Sequence, residues 1–484
     1  MSRPAHADAA MEALTTTNTT PHTTTIHVEE YQDEPECTSK RSTGTNAVLV
    51  LHATPDTTTT TVFELFGTNY THDCIQETFY LVQGSTINSS QHNHLQGTSI
   101  PTLIGLLTKL TQLSLSSNHL SGSLPTEVGL LIHLVHLNAN HNQLSGRLPS
   151  ELGLLTKLTQ LELNHNQHLS SSIPTQIGAL TWLKDLSLSH NQFSQGIPSE
   201  LGQLTALTFL GLGMNQLSNT IPAQLFMGRL TQLQWLDIEG NQLSGTISTE
   251  IALLTALNGM SLAHNQFSHQ LPTQIGRLTN LVSLSLDNNQ LSQNCVPTEM
   301  GQLTHLKKLH LHRNQCSHTI PTHIGMLTAM TSLQLYNNQF SHRIPTEIGL
   351  LSTHLEILFL SNNRLSGSVP FEIGRLSALK FLGMHHNRLS NSIPTQLGVL
   401  VNNLEFLDLA DNQLSGSIPS EMGLLPALEW LYLQNNHQLS GHVPTNLCYN
   451  QALQEIKVDC PTSNHLEDDD YVECSCTQCR CASH

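Results

Sequence analysis

The chain has little charge, few aromatic side chains and no long apolar run. Of its 484 residues, 11% are charged and 5% are aromatic, whereas a typical globular domain has about 25% charged residues. Its 19 basic and 36 acidic residues give a net charge of −17. This balance argues against nucleic-acid binding, which requires a clustered basic face. No run reaches the roughly 18 apolar residues of a membrane-spanning helix, so we expect none in this chain.

The motifs of the common enzyme classes are also missing. The sequence contains no P-loop, no His-Glu-x-x-His, no nucleophile elbow and no set of kinase motifs. It therefore predicts a protein that is not an enzyme, with no cofactor and no metal.

What the sequence does contain is a repeat of about 24 residues. Each unit reads Leu-x-x-Leu-x-Leu-x-x-Asn, then a Ser-Gly turn and an Ile-Pro or Leu-Pro step, as in the unit from Leu107 to Pro125. The repeated asparagines, for which we predict a structural ladder of hydrogen bonds to the backbone, are Asn118, Asn142, Asn166, Asn191, Asn215, Asn241, Asn265, Asn289, Asn314, Asn338, Asn363, Asn387, Asn412 and Asn436.

The pattern of one unit predicts its shape. In Leu-x-Leu, apolar and polar residues alternate with the period of a short strand that has one buried face. Proline fits the return path because its fixed φ suits an extended or 3₁₀ segment without a ladder donor. One unit cannot bury its own leucines, so about fourteen units must stack into a curved solenoid with short parallel strands on its concave face.

The string from Leu414 to Gly423, Leu-Ser-Gly-Ser-Ile-Pro-Ser-Glu-Met-Gly, resembles the plant-type leucine-rich repeat. That family includes ectodomains of receptor-like kinases, receptor-like proteins and secreted polygalacturonase inhibitors. The resemblance implies a leucine-rich-repeat solenoid of the α/β-type repeat class. It specifies the fold far better than the function, because one scaffold serves many ligands.

We predict four segments. Residues 1–61 are Thr-rich and read as a disordered or stalk-like segment, although the apolar stretch 47–53 favours a strand. Residues 62–101 are an N-terminal cap with a degenerate first repeat, residues 102–447 are the repeat array, and residues 448–484 are a Cys-rich C-terminal cap. Glycosylation sequons begin at Asn18, Asn69 and Asn88.

Six of the ten cysteines follow residue 447, and we expect them to staple the last leucine layer with disulfides. A zinc site is the alternative, since two of them are spaced as Cys-x-x-Cys. The disulfide candidates are Cys448, Cys460, Cys474, Cys476, Cys479 and Cys481. Inside the array, we expect Cys316 to be a buried small apolar residue that does not pair with Cys295.

Disulfides form in oxidising compartments, so these cysteines favour an extracellular or cell-surface protein. No signal peptide is visible at the N-terminus, and a cytoplasmic location is the alternative.

Ligand binding is expected on the concave face, where aromatic side chains accumulate in the later repeats. Phe381, Phe406 and Trp430 occupy one column and predict a ladder of rings spaced by about 5 Å. Flat rings beside carboxylates suit a peptide or a sugar, although such rings also pack sideways against each other. The candidate residues are Trp235, Tyr336, Phe359, Phe381, Phe406, Trp430, Tyr432, Glu405, Asp408 and Glu429.

A second candidate lies in the ninth repeat, where Lys307, Lys308, His310, His312 and Arg313 concentrate positive charge. This strand suits an anionic partner, and a solvated strand face is the alternative. The 29 histidines also raise the hypothesis that binding or solubility changes between about pH 5 and 7, where unperturbed histidine titrates.

We therefore predict a non-catalytic recognition module whose concave face binds a protein, peptide or glycan, with a co-receptor as a further partner. One alternative is a secreted inhibitor of a wall-degrading hydrolase, as the resemblance implies. Another is a structural or ice-binding protein that uses its regular Thr/Ser/Asn surface.

Overall fold

The computed structural model describes residues 49–52, 62–65, 86–88, 99–227, 229–351, 353–400, 403–459, 472–474, 476 and 478–481. Most of the Thr-rich segment, the sequons at Asn18 and Asn69, and Cys460 lie outside the described residues. Strands are numbered β1 to β35 in chain order.

One long parallel sheet forms the concave face, because each Leu-x-Leu segment pairs in register with the next. Its core leucines, such as Leu113 and Leu115, are almost completely buried. The strands are β3 (Thr86–Asn88), β4 (Gln112–Ser114), β6 (His136–Asn138), β8 (Gln160–Glu162), β10 (Asp185–Ser187), β12 (Phe209–Gly211), β14 (Trp235–Asp237), β16 (Gly259–Ser261), β18 (Ser283–Ser285), β20 (Lys308–His310), β22 (Ser332–Gln334), β24 (Ile357–Phe359), β26 (Phe381–Gly383), β28 (Phe406–Asp408), β30 (Trp430–Tyr432), β33 (Glu455–Val458) and β35 (Cys479–Cys481).

A second row of short parallel strands begins at or just after the repeated asparagines. Its residue at the Ser-Gly turn has a positive φ, for example +74° at Gly122 and +76° at Gly146, which glycine adopts without strain. The strands are β5 (Ser121–Gly122), β7 (Asn142–Gly146), β9 (Asn166–Ser171), β11 (Gln192–Gln195), β13 (Gln216–Thr220), β15 (Gln242–Gly245), β17 (Gln266–His269), β19 (Gln290–Gln293), β21 (Gln315–Cys316), β23 (Ser341–His342), β25 (Arg364–Gly367), β27 (Arg388–Asn391), β29 (Gln413–Gly416) and β31 (Gln438–Leu439).

Short 3₁₀ helices carry the chain back on the opposite side. The residue before each is extended, and its carbonyl accepts the first bond, as in Ile104 N–H to Pro101 O at 3.1 Å. Ser248 replaces proline once, and its side chain accepts a bond from the Glu250 N–H. The helices are Thr102–Leu106, Thr126–Leu130, Ser150–Leu154, Thr175–Ala179, Ser199–Gln203, Ala223–Leu225, Thr249–Leu253, Thr273–Arg277, Thr298–Gln302, Thr322–Met326, Thr346–Leu350, Phe371–Arg375, Thr395–Val399 and Ser420–Leu424, and an α-helix spans Thr445–Cys448.

The fourteen repeated asparagines line up beneath the concave strands. Asn265 is representative: its side-chain N–H₂ group donates to the carbonyls of Ile238, Leu262 and Ala263 at 3.0–3.3 Å, and its Oδ1 accepts from the Leu243 N–H at 3.0 Å. Two of those four partners belong to the preceding coil. Each such asparagine therefore satisfies backbone groups that would otherwise be buried without partners.

Both ends of the array extend the concave sheet. At the N-terminal end, β1 (Leu49–His52) pairs antiparallel with β2 (Val62–Leu65) and with β3, which pairs parallel with β4. β1 lies where the apolar stretch predicts a strand. At the C-terminal end, β35 pairs with β33, while β32 (Gly441–His442) pairs with β34 (Val472–Glu473). The end of the Cys-rich tail thus adds a final strand beyond the last leucine layer.

Disulfides occur in the tail and also inside the array. In the tail Cys448 is bonded to Cys476, and Cys474 to Cys479. The side chain of Cys481, like Cys460, falls outside the part of the chain that can be described.

The expectation that Cys295 and Cys316 do not pair is wrong, because they form a disulfide with their Cα atoms 5.5 Å apart. The strand register pairs Cys316 with Gln293, which precedes Cys295 by two residues. Cys295 is therefore completely buried beside its partner, although the repeat pattern places it out of register.

Candidate functional site

The concave strands present their side chains in columns. The first residue of each strand forms one column and the third residue forms a second, while the middle leucine points into the core. A third column lies two residues beyond the strand. Since adjacent parallel strands are about 4.8 Å apart, neighbours in a column lie close together.

The C-terminal aromatic residues share a column, but their rings are not a stacked ladder. The strand register aligns Phe381 with Phe406 and Phe406 with Trp430. None of these three described rings stacks on another, and Phe406 instead meets Tyr432 edge-on with ring centroids 5.8 Å apart. Phe406 is only 8% exposed, so it offers little surface to a ligand.

Two further aromatic candidates are buried more deeply. Tyr336 and Phe359 are 3% and 1% exposed and meet edge-on, with ring centroids 6.3 Å apart. Phe359 lies against Gly383, where an added Cβ would approach the ring to 2.9 Å. These two rings therefore pack against each other and offer almost no surface to a ligand.

The polar groups in the last repeats have partners within the chain. Lys457 lies 4.3 Å from the centre of the Tyr432 ring, and the Tyr432 hydroxyl donates to Glu455 at 2.9 Å. Glu455 also forms ion pairs with Lys457 at 3.2 Å and Arg480 at 3.1 Å.

The carboxylates proposed in these repeats differ in their partners. Asp408 pairs with His385 at 2.8 Å, and Glu429 accepts a bond from Gln454 at 2.9 Å. Glu405 is half-buried, and its backbone carbonyl accepts from the N–H groups of Glu429 and Trp430 at 2.8 and 3.1 Å. Among the described residues the carboxylates of Glu405 and Glu429 form no ion pair, so only part of the negative charge of this region is compensated.

The ninth repeat divides into exposed and buried parts. Lys307 and Lys308 are exposed. His312 is buried, stacks on Tyr336 with centroids 4.3 Å apart and contacts Asp287 at 3.4 Å. Burial lowers the pKa of His310 to about 4 and of His312 to about 3, with further lowering by nearby cationic groups. The positive charge of this strand at neutral pH therefore comes from lysine and arginine.

A different part of the concave face combines exposed aromatic surface with uncompensated charge. We call it the acidic–aromatic surface, and it spans the strands β8 to β16. Its members are Glu162, Asp185, Phe209, Trp235, Asp237 and Glu239. The sequence prediction included Trp235 but none of these four carboxylates.

Glycines make room for its side chains. An added Cβ on Gly259 would be 2.2 Å from the Trp235 ring, and one on Gly211 would be 2.7 Å from the Phe209 ring. Trp235 remains 39% exposed. Glycines within a strand pattern mark a close approach of another group, and this is the sequence signal that points to this surface.

The carboxylates of this surface lack cationic partners. Within the described residues none of the four forms an ion pair. Their hydrogen bonds are to neutral groups: Asn138 donates to Glu162 at 2.6 Å, the Glu239 N–H to Asp237 at 3.1 Å and the Ser261 hydroxyl to Glu239 at 2.7 Å.

Burial without counterions makes three of these acids weaker. Burial raises the pKa of the Asp185 carboxyl to about 7, and the neighbouring Glu162 adds to the rise. Burial likewise raises the pKa of Asp237 to about 7, with Glu239 contributing, while a backbone hydrogen bond from Glu239 acts in the opposite direction. Burial also raises the pKa of Glu162. Perturbed carboxyls on an open face are a mark of functional sites.

The nearest histidines do not supply the missing charge. His141, His165 and His190 form a stack with ring centroids 4.3 and 4.1 Å apart. Burial lowers the pKa of His165 to about 4, with repulsion from His190 and His141 adding to the effect. Burial also lowers the pKa of His190, which Glu239 partly offsets. His165 and His190 are therefore neutral at pH 7.

Potential metal ligands occur elsewhere. In the described part of the chain, one group has suitable geometry, with the sulfurs of Cys474, Cys476 and Cys479 within 4.8 Å of one another. These sulfurs form the disulfides of the tail, and we interpret them as part of the cap.

The fold and the repeat together define a leucine-rich-repeat solenoid, and comparisons agree. Residues 86–241 match the family described as a leucine-rich repeat region, and residues 232–254, 354–376 and 403–425 match single leucine-rich repeats. A solved leucine-rich-repeat protein of Leptospira interrogans is 32% identical, with a TM-score of 0.61, covering 75% of this chain and 88% of that one. The chain belongs to the leucine-rich-repeat family, and its repeats are of the plant type.

Plant receptors are among the similar structures. A TDR receptor is 26% identical with a TM-score of 0.64, covering 84% of this chain and 78% of that one. The ectodomain of the Arabidopsis receptor kinase HAESA, solved with an IDA peptide hormone, is 27% identical with a TM-score of 0.56, covering 78% and 71%. Two other solved structures are matched over 56% and 65% of their own length. No curated protein matches the sequence.

Proposed function

We propose that this chain is a non-catalytic recognition module that binds a protein or peptide on its concave face. The observation that carries the proposal is the acidic–aromatic surface, where an exposed indole lies beside carboxylates that have no cationic partner. Exposed aromatic side chains among polar groups are a feature of binding hot spots. The peptide-hormone complex of the similar HAESA ectodomain supports the same use of this scaffold.

We further propose an extracellular location. Among the described residues three disulfides, one of them completely buried within the array, favour an oxidising compartment. The similarity to receptor ectodomains supports the same location. No helix among the described residues has the length and apolar character needed to cross a bilayer.

Selection from a phage-displayed library of random peptides tests the proposal. We expect wild-type protein to enrich binders, and Trp235→Ala to weaken the binding of those peptides by about tenfold or more, as truncation of a hot-spot aromatic does. Trp182 provides the matched control, since it is 67% exposed but lies in the turn before β10, outside the concave strands.

Two outcomes would contradict the proposal. One is the absence of any enriched peptide. The other is equal weakening by Trp182→Ala and Trp235→Ala, because binding would then not depend on the concave face. A parallel assay with polygalacturonase tests the inhibitor alternative, because an inhibitor must reduce turnover while a recognition module need not.

A further inference from the structure

We infer that the ligand of the acidic–aromatic surface is an extended peptide segment that carries an arginine or lysine beside an apolar side chain. This inference rests on the proposed function and adds the chemistry of the ligand. It also moves the binding site away from the C-terminal aromatic residues and into the third to seventh repeats.

The first argument is charge. Asp185 begins β10 and Asp237 ends β14 on the same face, so two strand spacings and two residues along the strand separate them, about 12 Å in all. Glu162 and Glu239 flank them, and no cationic group of the described chain pairs with any of the four. Desolvated carboxylates without a counterion are unfavourable, and a ligand cation placed between them relieves both the desolvation and the mutual repulsion.

The second argument is the contrast with the C-terminal repeats. There, Glu455 has two cationic partners, and Asp408 lies 2.8 Å from a ring nitrogen of His385. Lysine and arginine thus accompany a concave acid in the C-terminal repeats, whereas in the described chain neither accompanies any of the four acids of the acidic–aromatic surface. A ligand that supplies positive charge therefore has four carboxylates without an ion pair to contact on that surface.

The third argument is the presence of aromatic rings beside the carboxylates. The Phe209 and Trp235 rings occupy adjacent positions in the first column, and Asp237 lies over Gly213, where an added Cβ would be 2.9 Å from its carboxylate. A guanidinium or ammonium group at this place has carboxylates for ion pairing and an indole face for a cation–π contact. An adjacent apolar side chain of the ligand packs on the rest of the ring surface.

The dimensions fit a peptide. The five strands from β8 to β16 span about 19 Å at 4.8 Å per strand. An extended chain rises about 3.3 Å per residue, so roughly six residues cover the surface. Small cations such as polyamines carry positive charge, but unlike a peptide they have no apolar side chain that could pack on the Trp235 indole.

The test uses the peptide library described above. Peptides enriched by the wild-type protein are expected to be rich in arginine or lysine, and the double variant Asp185→Asn/Asp237→Asn should lose this preference. The charge-matched control is Glu151→Gln/Glu347→Gln, which neutralises two acids on the 3₁₀-helix side and should leave the preference unchanged.

A synthetic copy of the most enriched peptide then isolates the charge. Replacing its basic residue with citrulline keeps a polar side chain but removes the charge, and we expect the Kd to rise by about tenfold or more. Trp235→Ala should weaken the same peptide. Circular dichroism checks that the double variant is folded.

The outcomes separate this inference from the proposed function. Enriched peptides that depend on Trp235 but show no basic preference would overturn the inference and leave the function standing. Spermidine that binds with equal affinity to wild type and Trp235→Ala, and displaces the peptide, would overturn the assignment of a peptide side chain. A library without any binder would overturn both proposals.

Discussion

Replacing Asp185 by asparagine should make the protein more stable at neutral and alkaline pH. The carboxyl is buried against Glu162 without a cation, and its pKa is raised from 3.8 to about 7. A native-state pKa above the unfolded value means that the native state binds the proton more tightly. The stability that this proton provides is complete below about pH 4 and is lost as the pH rises to about 7.

The size of the effect follows from the same shift. A rise of about 3 pKa units corresponds to about 4 kcal/mol at 1.36 kcal/mol per unit, which is an upper bound for the cost of ionising Asp185. Asparagine is never ionised, but its buried amide also carries a desolvation cost. We therefore expect Asp185→Asn to gain about 1–2 kcal/mol above pH 7 and close to nothing near pH 4.

Urea unfolding followed by circular dichroism, at several values between about pH 4 and 8, measures this difference. Glu151→Gln, which removes an acid from a 3₁₀ helix, is the control and should show no such pH dependence. An Asp185→Asn variant whose stability relative to wild type is the same at every pH would refute the assignment of Asp185 as a desolvated, uncompensated carboxylate.

Three other substitutions test the scaffold. Asn265→Ala removes four hydrogen bonds and leaves backbone groups unsatisfied, so it should cost about 2–3 kcal/mol in urea unfolding; a loss below about 0.5 kcal/mol would contradict the ladder's role. Gly259→Ala should displace the Trp235 ring and cost about 1–3 kcal/mol, and unchanged Trp235 fluorescence in a variant lacking the other two tryptophans would exclude the contact. Replacing Cys295 and Cys316 together by alanine should cost about 3 kcal/mol for a loop of 21 residues; an unchanged melting temperature without reductant would show that the bridge does not form.

The elements that repeat in the sequence could be predicted because each depends on local chemistry. An asparagine after every Leu-x-Leu strand has only one set of nearby backbone groups to satisfy, so the ladder follows from the pattern. A proline before each return segment is compatible with few backbone conformations. Fourteen copies of the same arrangement predicted the solenoid.

The structure explains part of the enrichment in histidine. Eight of them, including His141, His165 and His264, have a positive φ between 51 and 73°, a region where histidine, asparagine and aspartate are enriched among non-glycine residues. Part of the histidine enrichment thus occurs at positions of left-handed backbone. His165, His310 and His312 do not contribute to the hypothesised change between about pH 5 and 7, because burial lowers their pKa values to about 3 or 4.

Predictions that depended on one particular contact were less successful. The Cys295–Cys316 bridge was rejected because an insertion breaks the repeat register, and only the path of the chain after Gln293 brings the two sulfurs together. Tyr336 and Phe359 were placed on an open face, but a small neighbour, Gly383, leaves room for the Phe359 ring, which is buried.

The sequence by itself determined the repeating backbone, the core leucines, the asparagine ladder and the absence of familiar catalytic motifs. Each of these depends on contacts within one coil or between identical coils, so the pattern contains them. The tertiary structure decided which concave side chains are exposed and which charges are compensated. Those properties depend on side chains from different coils that share no motif, and only their positions on the folded face show that Trp235, Asp185 and Asp237 form one surface.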